Sequence, residues 1–508
     1  MKNIVKYALA AAASVVALAS CDLNLLPSTS IAYDENGVLF AYSTDVDAFE
    51  AGILASYRSI QGGDNALAED VQLDYFNAHA DYGNNYGSLH KCDYNFTAGD
   101  YDVQDFWSGN YSAIKNYNIV IENADKVEDE SLVEDVTRLK GEALFFRASS
   151  YINLARHFAK DYNASTAVDD LCVPLILKYD QNERPARATV QQVYDQVLKD
   201  LDAAAKILEK VPGKVRSQVP TIDAVYALYA RYYLDTDQPA KAAEYATKVI
   251  KSNAGYALCA SDEDFVAEYI NDEGNEPVMQ MYASLAELPN AISAYTALSA
   301  GSDIPEGYYF IPYFLPTQDL LDSYDEGDLR LKYWYGNEIG DYVPTLAGKT
   351  IPVKNGGNYV YDAIVLKKHL GNPALVSSGI PNGRNAIKPI LISEMYLIAA
   401  ECGDASALEA IQTARGAEVT DYSAEAVQKE WYRETVGEGF RLSCMKRWNI
   451  GFSGRTPQEA CSANSILMTG EFFEQKVLPA GDYHYVWPIP SYEIKINKNL
   501  KQNDGWAD

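Results

Sequence analysis

Histidine is scarce in this sequence, five in 508 residues, and none of the five stands beside another in a metal-binding or catalytic spacing. No HExxH, no GxSxG elbow and no phosphate-binding P-loop occurs, so the common metalloprotease, serine-hydrolase and nucleotide chemistries have no address here. Cysteine is sparse as well. With Cys21 set aside, the other six (Cys92, Cys172, Cys259, Cys402, Cys444 and Cys461) show no CxxC or zinc-like spacing. Scattered positions of that kind do not imply a disulfide framework, and buried free thiols are the expected state. Basic charge is short: 42 Lys and Arg stand against 71 Asp and Glu, for a formal net charge of −29. A surface with that balance repels polyanions, which argues against nucleic acid as a partner and, more weakly, against acidic glycans. Neutral or cationic ligands fit better. No stretch is apolar for the roughly 20 residues a bilayer-spanning helix needs.

What is present starts at the first residues. Lys2 and Lys6 precede an apolar run over 7–18, and Leu18-Ala19-Ser20-Cys21 places small residues before a thiol that can be acylated. Residues 1–20 therefore read as a lipoprotein export signal with Cys21 as the lipidated first residue of the mature chain. Lipid on Cys21 would be the membrane anchor. The polar stretch 21–44 reads as a tether. A hydrophobic share of 48% makes the remainder globular, and 39 tyrosines supply flat apolar rings with a hydrogen-bonding tip, suited to interfaces, to sugar stacking and equally to cores.

Apolar periodicity predicts helices over 45–59, from about 106, over 132–158, over 189–208 with Thr189 as N-cap, and as pairs at 222–234 with 239–251 and 390–401 with 405–414. Pro239 suits a first helical position. In the first pair Ala224, Ala227 and Ala230 are expected to face Ala243 and Ala246. In the second Ala399, Ala400, Ala407 and Ala410 are expected inside. These are tetratricopeptide-like pairs, which must stack on neighbours to bury their apolar faces. The fold class is accordingly mainly α: a helical-pair scaffold over about 45–253 and 390–450, a large irregular, loop-rich insert over about 254–389, and an irregular C-terminal segment over 451–508 of one domain, 45–508.

At this point the chain resembles the SusD/RagB family of nutrient-binding lipoproteins, which cap TonB-dependent importers on the surface of Bacteroidetes-type bacteria. The resemblance is carried by the lipobox and Leu25–Pro27, Trp107-x3-Tyr111-x2-Ile114, Glu142-Ala143-Leu144-Phe145-Phe146-Arg147-Ala148 and Val173-Pro174-Leu175. Further on it is carried by Arg415-Gly416-Ala417-Glu418, Glu430, Arg433-Glu434, Glu438-Gly439-x-Arg441, Lys446-Arg447-Trp448 and Trp487-Pro488-Ile489-Pro490, closing on Asn503 and Gly505-Trp506. The resemblance implies a SusD-like fold, no cofactor, a SusC/RagA-like barrel as partner, an oligosaccharide or oligopeptide as ligand, and an outward-facing place on the outer membrane. The 414–419 stretch most resembles the RagB branch, which the family associates with peptides. The rival functions are a surface adhesin binding host protein through its tyrosines and, less consistent with the missing catalytic constellation, a glycan hydrolase.

A capture protein needs exposed rings and amide or carboxylate partners and no nucleophile. Two stretches have that composition, and in the family the ligand surface is built from loops in these regions. The first gives Tyr75, Asn77, Asp81, Tyr82, Asn84 and Tyr86 as candidates, with Asn84-Asn85 awkward to bury unpaired. The second gives Tyr308, Tyr309 and Trp334. Two further clusters are weighed and set aside. Asp100, Asp102 and Asp105 have a loose calcium-loop spacing without the Gly or the terminal Glu of an EF-hand. Glu430, Glu434 and Glu438 recur at helical spacing and read as a solvated face with Arg433 and Arg441 as partners.

Overall fold

Residues 37–63, 68–292, 294–459 and 465–507 are described by the structure, a computed structural model. The expected signal 1–20, the lipidation site Cys21, most of the expected tether, and Cys461 lie outside them. The longer helices are α1 (Ser43–Gln61), α2 (Tyr101–Asn123), α3 (Val133–Phe158), α4 (Val190–Leu208), α5 (Ile222–Asp235), α6 (Pro239–Ile250), α7 (Ile392–Glu401), α8 (Ala405–Arg415), α9 (Ala424–Glu434) and α10 (Arg441–Trp448). Among the described residues helix predominates and the strands are only two or three residues long, so the fold is mainly α.

Local chemistry sets the helix ends. Thr189 and Gln192 form a reciprocal capping box at the start of α4, which satisfies two of the amides a helix N-terminus leaves open. Asp404 caps α8 from its side chain, and Gly416, at φ 68°, closes it in a left-handed conformation, the residue type that C-terminal position favours. Asp100 accepts from the amides of Asp102 and Val103 at 3.0 and 3.3 Å. That capping starts α2 at Tyr101, five residues before the apolar pattern becomes visible in the sequence, and it spends the carboxylate weighed for a calcium loop.

Consecutive helices pack as neighbours from α1 through α8, and α7 lies directly against α6 although 141 residues separate Ile250 from Ile392 in sequence. The scaffold is thus one stack in space. Its axis is α3, buried without a break from Gly141 to Ile152, as expected of a helix surrounded on all sides. At Gly141 a Cβ would come within 2.7 Å of Ile207 Cγ2, so the glycine is what lets α4 approach α3. In the α5–α6 pair the buried stripe is Ala242, Ala246 and Val249. The expected Ala243 is only half-buried, one position round the helix. Ala399, Ala400 and Ala407 are buried as expected, with Ala410 half-buried.

Residues 251–389 carry short strands and only short helical segments, such as Gln318–Asp322 and Leu329–Trp334. Strand β1 (Phe76–Ala78) pairs antiparallel with β5 (Phe314–Pro316), and β2 (Pro277–Met279) with β8 (Ile390–Leu391). A four-stranded sheet runs in the order β3 (Leu298–Ala300), β4 (Tyr308–Phe310), β6 (Val353–Asn355), β7 (Asn358–Val360). Near the C-terminus β9 (Phe452–Ser453) pairs with β10 (Val477–Leu478). The four-stranded sheet covers its own apolar cluster, which includes Phe310, Leu315, Ile351, Val353 and Ile466.

A buried ionic network rivets this insert to the scaffold. Arg330, fully buried, holds Asp328 at 2.8 Å, Glu430 at 2.6 Å and Glu434 at 2.8 Å. Arg415 holds Glu276 at 2.7 Å and also pairs with Glu434. Arg433 pairs with Glu430 and, at 2.9 Å, with Asp325. The expectation of a solvated Glu430–Glu434–Glu438 face is therefore overturned: Glu438 lies past the end of α9, half-buried and paired with the buried Lys368 at 2.7 Å, and the insert folds over α9 and takes the carboxylates of Glu430 and Glu434 out of water. Their pKa values are still held below the usual range, because the adjoining guanidiniums outweigh the burial that would raise them. Arg441 pairs with Asp74 at 2.6 Å instead.

Candidate ligand-binding face

The sheet β3–β4–β6–β7 puts alternate side chains on opposite faces. Phe310 and Val353, in register across the parallel β4–β6 pair, point into the apolar cluster. The other face carries Ser299 opposite Tyr309, and Lys354 opposite Tyr359. It is a row of one hydroxyl, two rings and one ammonium. The Tyr309 and Tyr359 rings lie 5.6 Å apart at 56°, and the Lys354 ammonium sits 4.7 Å from the Tyr309 centroid. Gly301 leaves room for this arrangement, since a Cβ there would meet Tyr309 Cδ1 at 2.9 Å.

Two carboxylates orient the rings at the edge. Tyr359 donates its phenol to both oxygens of Asp303 at 3.0 and 3.1 Å, and Tyr361, 44% exposed, donates to Glu306 at 3.2 Å. The Gly356-Gly357 turn between β6 and β7 gives its Gly356 amide to the carboxylate of Asp81. That contact joins the loop over 79–86 to the sheet. Gly83, Asn84 and Tyr86 all have left-handed backbones, φ 62°, 60° and 52°. Such a curl is easy for Gly, tolerated by Asn and strained for Tyr.

Of the residues expected at a ligand surface, Asp81, Tyr309 and the exposed Asn84 stand on this face or its rim, with Tyr86 half-buried behind the loop. Tyr308 is half-buried against the apolar cluster on the opposite side of the sheet. Four others belong to the core. Tyr75 is fully buried and stacked on Tyr432 at 4.8 Å. Asn77 is paired in the β1–β5 ladder and donates to the Thr456 carbonyl at 3.1 Å. Tyr82 lies beneath the loop, its hydroxyl donating to Asn84 at 3.1 Å. Trp334 is fully buried, edge-on to Tyr269 at 5.1 Å and with the Lys368 ammonium 4.0 Å from its ring, so it cannot stack on a ligand. Lys354, Tyr359 and Tyr361 were missed; the signal available was an alternation of polar and aromatic residues around Gly356-Gly357, the mark of a tight hairpin.

Below the loop Arg455, fully buried, fans its guanidinium onto the carbonyls of Leu73, Gln72 and His90 at 2.7, 2.7 and 2.8 Å. It pins the base from which β1 and the 79–86 loop spring. The face can therefore present rings, carboxylates and amides in fixed places, and it holds no nucleophile beside a base. Among the described residues no group of three or more His, Cys, Asp or Glu is placed to hold a metal, and no helix is long and apolar enough to cross a membrane.

Two family profiles match the chain. One, described as starch-binding and associating with the outer membrane, spans residues 31–234; the other, described as the SusD family, spans 322–506. No curated protein matches. Among solved structures, a SusD superfamily protein from Bacteroides thetaiotaomicron is 23% identical with a TM-score of 0.70, over 90% of this chain and 99% of that one. A SusD-like carbohydrate binding protein from Bacteroides vulgatus is 19% identical with a TM-score of 0.69, over 91% and 98%. A laminarin binding SusD-like protein is 19% identical with a TM-score of 0.68, over 91% and 99%. Identities this low speak for a shared fold.

Proposed function

We infer the function of this chain from the family it belongs to, the SusD/RagB family: it is a surface lipoprotein that captures neutral oligosaccharides and performs no chemistry on them. The observation that carries this reading is the Tyr309–Lys354–Tyr359 row with its tethering carboxylates. Pyranose rings offer apolar C–H faces to flat aromatics and hydroxyls that both donate and accept. Asp81, Asp303 and Glu306 supply acceptors for those hydroxyls at the rim, and the net charge of −29 favours a ligand without negative charge. The carbohydrate- and laminarin-binding relatives share the fold, and the family description includes association with the outer membrane.

Two further parts belong to the reading, the first supported by the lipobox at 18–21 and the second by the family resemblance alone. Acylation at Cys21 retains the protein at the membrane, and a SusC/RagA-like TonB-dependent barrel receives what it captures, with this chain as the lid. The oligopeptide alternative leaned on the 414–419 stretch followed by Gly437-Glu438-Gly439. In the fold Arg415 is spent on Glu276 and Glu434 inside the ionic network, and Gly416 closes a helix. Those two residues are thus occupied within the fold, which weakens their support for a peptide ligand.

The test is calorimetric titration with neutral glucans, laminarin oligomers among them, and with mixed oligopeptides. Glucan binding is expected, and Tyr309→Ala or Tyr359→Ala should each weaken it by about 1–3 kcal/mol, as removal of a central ring does in other interfaces. Binding of peptides alone would overturn the ligand class. Unchanged affinity in both variants would overturn the face.

A further inference from the structure

Away from the sheet face, α2, the segment 174–185 and the short helix Ser491–Ile496 enclose a groove of about 340 Å³, a volume within the usual range of small-molecule sites. Its floor is apolar and fixed before any ligand arrives. Trp107 is held edge-on to Phe158 at 4.8 Å and lies 4.9 Å from Tyr111, whose hydroxyl donates to the Pro174 carbonyl at 2.8 Å. The half-buried Ile176 and the exposed Ile496 extend this apolar surface.

The charged groups lining the groove are balanced, Lys115, Lys178 and Arg184 against Asp180, Glu183 and Glu493. On a chain of net charge −29 such balance is local, and a simple cation or a simple anion would each meet repulsion from half of the set. Two of the six lie near each other without pairing. Glu493 is half-buried, and its carboxylate has no hydrogen bond or ion pair among the described residues. Burial pushes its pKa up and the guanidinium of Arg184 is close enough to oppose that shift, yet no ion pair closes between them. Arg184 is held where it is by other contacts. Its Nη1 donates to the carbonyls of Gln181 and Glu183 at 2.9 and 2.8 Å, while Asn499 and Asn497 hold the carbonyls of Arg184 and Pro185 at 2.6 and 2.7 Å. Its Nε and Nη2 have no partner among the described residues. A carboxylate partly out of water with no donor is unfavourable, so an acid and a base held apart over an apolar floor call for a molecule that answers both.

We propose that this groove is a second ligand site, distinct from the sheet face, and that it takes a free α-amino acid with a large apolar side chain. The ammonium donates to Glu493, and the carboxylate accepts from Nε and Nη2 of Arg184, a fork whose geometry matches it. The side chain covers Trp107, Tyr111 and Ile176. Charge-assisted bonds at both ends favour the zwitterion over a sugar, whose hydroxyls bond the same two groups more weakly. An amine or an acid alone satisfies one end and leaves the other bare.

Calorimetric titration of the purified protein with L-leucine, L-phenylalanine and L-methionine tests this. Isoamylamine and isocaproic acid, which are leucine without its carboxylate and without its ammonium, and D-glucose serve as comparators. At least one of the three amino acids is expected to bind with one-to-one stoichiometry, and the amine and the acid at least tenfold more weakly. Glu493→Gln, at a carboxylate with no bond to lose in the unliganded protein, should weaken the amino acid at least tenfold with an unchanged thermal midpoint, and Arg184→Gln should do the same. Tyr309→Ala should leave amino-acid binding unchanged while lowering oligosaccharide affinity, so the two sites fail or stand separately. The proposal is overturned if none of the three amino acids binds, if the amine or the acid binds as tightly, or if D-glucose displaces the amino acid. Binding that survives both Glu493→Gln and Arg184→Gln, or that Tyr309→Ala abolishes, overturns it equally.

Discussion

A phenol tied to a carboxylate holds its ring still before any ligand arrives, and Tyr359, with both oxygens of Asp303 within 3.1 Å of its hydroxyl, is held in this way. Preordering removes part of the entropy a binding event otherwise costs. Tyr359→Phe keeps the stacking surface and frees the ring, so its loss of glucan affinity should be about 0.5–1.5 kcal/mol, below that of Tyr359→Ala in the same titration. Trp334 is the contrasting ring. Its side chain packs among Phe265, Tyr269 and Lys368 inside the insert, and Trp334→Ala should cost about 3–5 kcal/mol of stability, read as a lower denaturant midpoint with no selective change in ligand contacts. In the sequence the two rings looked alike, since a large aromatic in a tyrosine-rich segment has the same local pattern whether it ends on an open sheet face or in the main core. His369 gives a pH signature. Its pKa is about 3 in the folded chain against 6.5 when free. Above pH 6.5 neither state carries the proton and the contribution is constant. As pH falls below 6.5 the unfolded chain takes up a proton that the folded chain refuses, so stability is lost down to about pH 3. At pH 5 this amounts to on the order of 2 kcal/mol. His369→Gln removes that slope, and urea titrations at pH 7 and pH 5 should show the variant gaining on the parent by that amount; a difference that does not change with pH would exclude the assignment.

At the scale of elements, what could be read from the sequence was whatever a helix advertises locally. The capping box at Thr189 and Gln192, the proline at the start of α6 and the alanine-lined pairs were visible because the 3.6-residue period and the end residues are properties of a single segment. Thr189→Ala should lower stability by about 1 kcal/mol, measurable as a shifted thermal midpoint. The network on α9 was not visible, for the opposite reason. Glu430 and Glu434 have the spacing of a wet helix face, and only the return of a chain segment 100 residues away, bringing Arg330, turns them inward. Glu434→Gln leaves Arg330 and Arg415 short of a counter-charge in a dry site, and breaking a buried pair from one side costs about 3–5 kcal/mol; chemical denaturation reads this directly. The candidate face shows the same division. Asp81 and Tyr309 of the proposed face lie in stretches that composition singles out, whereas Lys354, Tyr359 and Tyr361 join them only through the strand order β3–β4–β6–β7, in which a parallel β4–β6 contact joins hairpins that the sequence keeps apart.

For the molecule as a whole, retention at the membrane and capture without turnover are the two expectations. Cys21→Ser should move the protein from the detergent phase to the aqueous phase on phase partition, and prolonged incubation with bound glucan should return it at its original length, any shortening counting against a pure binding role. The direct packing of α6 on α7 has a separate consequence. Because β2, well inside the insert, pairs with β8 just past its end, Pro277 opposite Leu391, the scaffold closes beneath it like the two halves of a ring setting beneath a stone. Lengthening or shortening the segments beyond that clasp changes closure entropy only with the logarithm of their length. The helical stack can thus stay constant while the surface it displays is exchanged, provided that any replacement still supplies the two residues on which the setting grips, a cation at 330 and an anion at 276.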